Sequence, residues 1–249
     1  MKVLSIIALL LLFAAPYAYA GGEGKHLFIL SGQSNMEGLQ PDKSFTPAVI
    51  KEFGRDNVIV VLDAKGSRAI RCWYKDWKPE QGDTPKATGY IYDRLMNKVR
   101  LATNYQDPQT ITFVWMQGED DAREGHGDVY ADSLRGLFEQ LRTDLGRDDV
   151  NFVIGRISDY DLDNSEYPHW TLVRQAQVEV AESEPRTDWV DTDDLNDGKS
   201  RRGKDISNAL HYSAQGYITL GHRFAQTSIE LIAEHSREQE DTDDSHEDR

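Results

Sequence analysis

Apolar residues in this chain fall into two patterns that take turns. Short, nearly continuous apolar runs occupy 27–30, 57–63 (NVIVVLD), 110–116 (TITFVWM) and 151–157 (NFVIGRI), with a weaker one at 187–191. Runs of this length, rich in β-branched and aromatic residues, predict strands covered on both faces. Between them the spacing changes to three and four residues. Residues 47–53 form a short candidate helix, and Ile91, Leu95, Val99 and Ala102 mark a second one starting after Gly89. Leu134, Leu137, Phe138, Leu141 and Leu145 line one face of a third, with Gly146 as its stop. Val173, Ala176 and Val180 are in register over 170–181. A last helix starts at the N-cap candidate Ser213 and presents Ile218, Gly221, Ala225, Ile229 and Ile232 on one side. Strands alternating with helices imply a parallel sheet of about five strands between two helical layers, a three-layer α/β/α sandwich. One domain over 21–233 accounts for the whole pattern, and no internal repeat is present.

Two stretches lack periodicity. Residues 64–88 contain Trp73, Tyr74 and Trp77, and residues 192–210 are polar with a basic middle. A connection as long as 64–88 inside a compact domain is usually functional or disordered, and its aromatic residues argue against disorder. The ends differ from the rest. Lys2, the apolar run 3–15 and Ala18-Tyr19-Ala20 have the form of a signal peptide over 1–20, so an exported protein is expected, secreted or periplasmic, with no integral membrane segment once it is cleaved. Residues 234–249 hold eight acidic and two basic residues and read as an acidic disordered tail. The net charge of −15 argues against nucleic acid as a partner. The single cysteine, Cys72, allows no internal disulfide and reads as a small buried filler.

Chemistry concentrates where strands end. Ser31-Gly32-Gln33-Ser34-Asn35-Met36-Glu37-Gly38 follows the first apolar run, and Gln117-Gly118-Glu119-Asp120-Asp121 follows the third. His211 stands just before the last helix. Open α/β sheets bind ligands at the carboxyl ends of their strands. A serine nucleophile requires a base to take its proton, an acid to orient that base, and N–H donors for the oxyanion. Ser34, His211 and an acid from the 119–121 cluster meet that requirement by residue type. No metal-ligand spacing or phosphate-binding loop occurs, so neither metal nor cofactor is expected.

Three motifs carry a resemblance. Gly32-Gln33-Ser34-Asn35-Met36-x-Gly38, Trp115-Met116-Gln117-Gly118-Glu119-x-Asp121-Ala122 and His211-x-x-x-x-Gly216-Tyr217-x-x-Leu220-Gly221 together resemble the SGNH-type hydrolases of the sialate O-acetylesterase domain family, related to carbohydrate esterase family 6. The similarity runs from about Lys25 to about Ala233. It implies a flavodoxin-like sheet, metal-free serine catalysis through an acyl-enzyme, and an acetylated carbohydrate, either polysaccharide or sialic-acid-type, as substrate. Ser34 would be the nucleophile and His211 the base. The Gly66 backbone N–H and the Gln117 side-chain amide would form the oxyanion hole. The plainer readings are a turn glycine for Gly66 and a loop-ordering amide for Gln117.

One position departs from the pattern. Many relatives place an aspartate three residues before the catalytic histidine, and here that residue is Asn208. An amide does not compensate an imidazolium. Glu119 is the first candidate for the orienting acid and Asp205 the second, while Glu119 and Asp121 are alternatively loop-holding carboxylates. Trp73 is a candidate sugar-stacking surface, set against the alternative that Trp73 and Trp77 cover the sheet edge. Because of Asn208, a glycan-binding protein without turnover stands as the alternative to an esterase. A long-chain lipase fits poorly with such polar loops.

Overall fold

The structure is a computed structural model that describes residues 24–247, with side chains to Arg237. The expected signal peptide lies outside the described residues. Five strands form one sheet: β1 (His26–Gly32), β2 (Val58–Ala64), β3 (Thr110–Met116), β4 (Asn151–Gly155) and β5 (Thr187–Val190). They run parallel in the order β2-β1-β3-β4-β5. This is the flavodoxin-like order, and it bears out the predicted sandwich. Gly32 pairs with Ala64 on one side and Met116 on the other, so three strands end level along one rim.

The connections between parallel strands place helices on both faces of the sheet. Helices α3 (Tyr90–Thr103), α5 (Tyr130–Leu145) and α6 (Trp170–Ser183) form one layer, and α2 (Phe45–Phe53) packs on α7 (Ala214–Glu247) in the other. Two short helices, α1 (Ser34–Gly38) and α4 (Glu119–Glu124), begin at the rim. Aromatic contacts join each layer to the sheet. Phe28 of β1 meets Phe45 of α2 edge-on at 5.5 Å, and Phe152 of β4 stacks on Phe138 of α5 at 3.8 Å. Gly146 ends α5 at φ +64°, and Ser213 caps α7 by accepting the Gly216 N–H on Oγ at 2.9 Å.

Three expectations change. Strand β2 meets helices of both layers, α3 and α2, but it is the sheet edge, and Val58, Ile59 and Val60 stay half-buried. The basic part of 192–210 folds into a small antiparallel hairpin, β6 (Gly198–Lys199) and β7 (Asp205–Ile206), whose two-residue strands are too short to show a period. Helix α7 passes the 233/234 boundary without a break and reaches Glu247, so the acidic segment read as a disordered tail continues as helix. Glutamate and arginine are good helix formers, and extending a packed helix needs no new nucleus.

Candidate active site

Strand order reverses between β1 and β3, and the loops leaving these neighbours meet at the rim, the place where open α/β sheets bind ligands. Gly32 lets them approach. Its φ is +146°, and a Cβ there would lie 1.9 Å from the Met116 carbonyl oxygen, a position no side chain tolerates. The next residue, Gln33, donates its N–H to that carbonyl at 2.9 Å. Its buried side-chain oxygen accepts from Gln117 Nε2 and from the Asp120 N–H, both at 3.1 Å. The loops after β1 and β3 are thereby locked together.

Ser34 opens α1 and is half-buried. Its neighbour Asn35 is 1 % exposed and fully engaged. Asn35 Nδ2 donates to Glu119 Oε1 at 2.9 Å and to the Leu210 carbonyl at 3.1 Å, while its Oδ1 accepts from the Tyr217 hydroxyl at 3.1 Å. One amide therefore joins the turn that bears Ser34 to the segment that bears His211. The two sequence-predicted residues are brought to one rim, one residue away from a shared hydrogen bond. Among the described residues no hydrogen bond links Ser34 to His211 directly. Such contacts are commonly long before substrate binds.

His211 keeps more than a third of its surface in solvent, yet the protein around it removes enough water to lower its pKa. A lowered pKa keeps the imidazole neutral at neutral pH, the form that accepts a proton.

Gly66 lies close to Ser34. A Cβ on it would be 3.5 Å from Ser34 Cβ. Its N–H is already used, however, and donates to Glu37 Oε2 at 2.9 Å. A carboxylate oxygen thus sits at the donor assigned to the oxyanion.

Other assignments change. Gln117 is fully buried and spends its amide on Gln33 Oε1, the Arg68 carbonyl and Asp121 Oδ2 at 3.1, 3.1 and 2.6 Å. Two amide hydrogens facing three acceptors leave nothing for an oxyanion, so the loop-ordering alternative fits. Trp73 is 0 % exposed, donates to Ser31 Oγ at 2.9 Å and meets Trp115 edge-on, which makes it core and not a sugar platform. Glu119 hydrogen-bonds Asn35 and not the imidazole, and its second oxygen is buried without a hydrogen-bond partner. Burial raises its pKa to about 7. Asp121 is buried too, holds the Ile70 N–H at 2.8 Å, and is pushed by burial to about 7. Asp205 pairs with Lys199 at 2.7 Å on the exposed hairpin. Asn208 has φ +42° and donates from Nδ2 to the Tyr160 carbonyl at 3.1 Å, a bond an aspartate has no hydrogen to make.

Sequence reasoning missed Asn35, Glu37 and Tyr217 as members of the site. Two of them stood inside quoted motifs. Their signal was a polar side chain that has to be buried, which becomes visible only once the partners are placed.

The model of the family described as carbohydrate esterase, sialic acid-specific acetylesterase matches residues 37–230, which include Gly66, Glu119 and His211 and begin three residues after Ser34. No curated protein matches the chain. Among solved structures, a protein from Arabidopsis thaliana is similar at 18% identity and a TM-score of 0.63, over 83% of this chain and 98% of that one. A carbohydrate acetylesterase from Xanthomonas citri follows at 14% and 0.59, over 84% of this chain and 56% of that one. NanS is similar at 16% and 0.56, over 76% and 70% of the two chains. These likenesses show the shared fold. The chain belongs to the carbohydrate esterase family of sialic acid-specific acetylesterases.

Proposed function

We propose that this protein is an exported serine esterase that removes O-acetyl groups from carbohydrate through an acetyl-enzyme. Ser34 Oγ attacks the acetyl carbonyl carbon while His211 takes the hydroxyl proton. The oxyanion forms beside the Gly66 N–H once Glu37 has moved off it. Collapse breaks the ester bond, and the proton on His211 leaves with the sugar hydroxyl. Water then hydrolyses the acetyl-Ser34 ester by the same route, returning acetate and free enzyme.

The hydrogen bonds of Asn35 support this reading, because they run from the Ser34 turn to Glu119 and to the Leu210 carbonyl beside His211. Glu119 is a positioning residue in it, acting through Asn35. The carbohydrate leaving group is supported by the family's description and by the acetylesterase activity named for the Xanthomonas protein. Export is supported by the composition of residues 1–20, and among the described residues no helix is long and apolar enough to cross a membrane. The test is Ser34→Ala, expected to lower turnover of a chromogenic acetyl ester by on the order of 10³ or more. Undiminished hydrolysis by that variant refutes the assignment.

A second reading, glycan binding without turnover, is favoured by one observation: Glu37 occupies the Gly66 N–H while His211 has no carboxylate on its ring among the described residues. A wild-type protein that retains acetylated glycan yet releases no acetate establishes it.

A further inference from the structure

The function proposed above leaves the basic hairpin unused. In a chain of 43 acidic and 28 basic residues, the segment 199–204 carries Lys199, Arg201, Arg202 and Lys204. Beside it lies a cavity of about 580 Å³, bounded by Lys43, Lys199, Arg201, Tyr217, Gln40 and Gln215, with no acidic residue in its lining. Pockets of several hundred Å³ accommodate a small ligand such as one sugar unit.

The cavity touches the candidate active site through one wall. Tyr217 lines it and donates to Asn35, the residue after Ser34. The Arg201 guanidinium lies 4.3 Å over the Tyr217 ring and donates to the Gly38 carbonyl, where the Ser34 turn ends. Both of these Arg201 partners are uncharged, so its charge is not neutralised by them. The ammonium of Lys43 has no hydrogen bond or ion pair among the described residues, and only Lys199 shares a carboxylate, that of Asp205. The side chains of Arg202 and Lys204 are exposed and likewise unpaired among the described residues. The positive charge therefore does not stop at the cavity but continues along the hairpin.

We propose that this cavity and hairpin form an anion track for a polyanionic glycan. Arg201, Lys43 and Lys199 hold a carboxylate or sulfate on a sugar unit next to the one carrying the ester, and Arg202 and Lys204 meet charges further along the chain. One anionic group needs one or two cations, whereas five spread from a cavity over a hairpin match a repeating charge. A strongly negative protein repels such a polymer unless a local positive surface guides it. The placement of the ester rests on the esterase reading; the binding of the polymer does not.

Affinity electrophoresis of the full chain tests this, in gels containing polygalacturonate, dextran sulfate or neutral dextran. Retardation is expected in the charged gels and not in neutral dextran, and it should vanish near about 0.5 M salt, where screening shortens to a few ångströms. Retardation by only one charged polymer assigns carboxylate or sulfate as the group recognised. Lys43→Gln/Arg201→Gln should weaken the apparent affinity about tenfold. Arg202→Gln/Lys204→Gln alters only exposed side chains and should weaken it in the same direction with an unchanged melting temperature. Equal retardation in neutral dextran, no retardation in either charged gel, or variants that migrate like wild type overturn the proposal. Hydrolysis of a small acetyl ester by the wild type, measured alongside, reports on the esterase reading separately.

Discussion

Asn35 and Glu119 lie 84 positions apart and are joined by a 2.9 Å hydrogen bond from Nδ2 to Oε1, with both side chains almost wholly excluded from water. The bond has a stake at each end. Without the amide, a buried carboxyl loses its side-chain hydrogen-bond donor; without the carboxyl, the amide that reaches the Leu210 carbonyl is no longer held from the other side.

Replacing Asn35 by Asp removes both donated bonds and sets two carboxyl groups against each other in a buried place. The expected loss is about 3 kcal/mol of stability, as for an unsatisfied buried polar group with added charge. The misplaced Ser34 and His211 segments should cost about 10²-fold in kcat/KM. Urea denaturation and ester hydrolysis check this, and a variant as stable and active as wild type rejects the bridging role.

Glu119 and Asp121 make stability fall as pH rises through the weakly acidic range. Burial raises them from ordinary values of 4.5 and 3.8 to about 7 each. Between those values the folded state holds more protons than the unfolded chain, so raising the pH favours unfolding. Their contribution is best below the unfolded values, declines toward pH 7 and is fully lost above it. Comparing unfolding free energies at about pH 5 and about pH 8, Glu119→Gln should show a smaller decline than wild type. An identical slope in the two proteins argues against the raised value.

Glu37→Ala frees the Gly66 N–H. The hydrogen bond it removes is exposed, and such contacts with a charged group contribute up to about 1 kcal/mol, so kcat/KM for a small acetyl ester should rise about two- to fivefold. Little change in melting temperature is expected. A fall in rate instead shows that Glu37 assists the reaction.

Asn208→Asp restores the residue type of related enzymes, yet no gain in rate is expected. The side chain here is committed to the Tyr160 carbonyl and to Asn196, and a carboxylate would face that carbonyl without a hydrogen. About 1 kcal/mol of stability should be lost. A rate increase of tenfold or more, about 1.4 kcal/mol, would mean that the side chain swings to His211.

What the chain determined by itself was local. The apolar runs at 27–30 and 110–116 read as strands because they are short and carry β-branched and aromatic residues, and continuous apolarity marked them as buried. Gly146 and Ser213 marked helix ends through backbone freedom and a side-chain oxygen, both properties of single residues. The motifs around Ser34, Glu119 and His211 pointed to one rim for a related reason: each follows or precedes an element whose direction is set by the sheet. Tertiary structure decided which donor meets which acceptor. Trp73 turned inward to Ser31, Gln117 spent its amide on three neighbours, Glu119 chose Asn35 over the imidazole, and Glu37 reached Gly66. The bonds of Asn35 span 84, 175 and 182 positions. Contacts that distant are a property of how layers pack, and no short stretch of residues contains them.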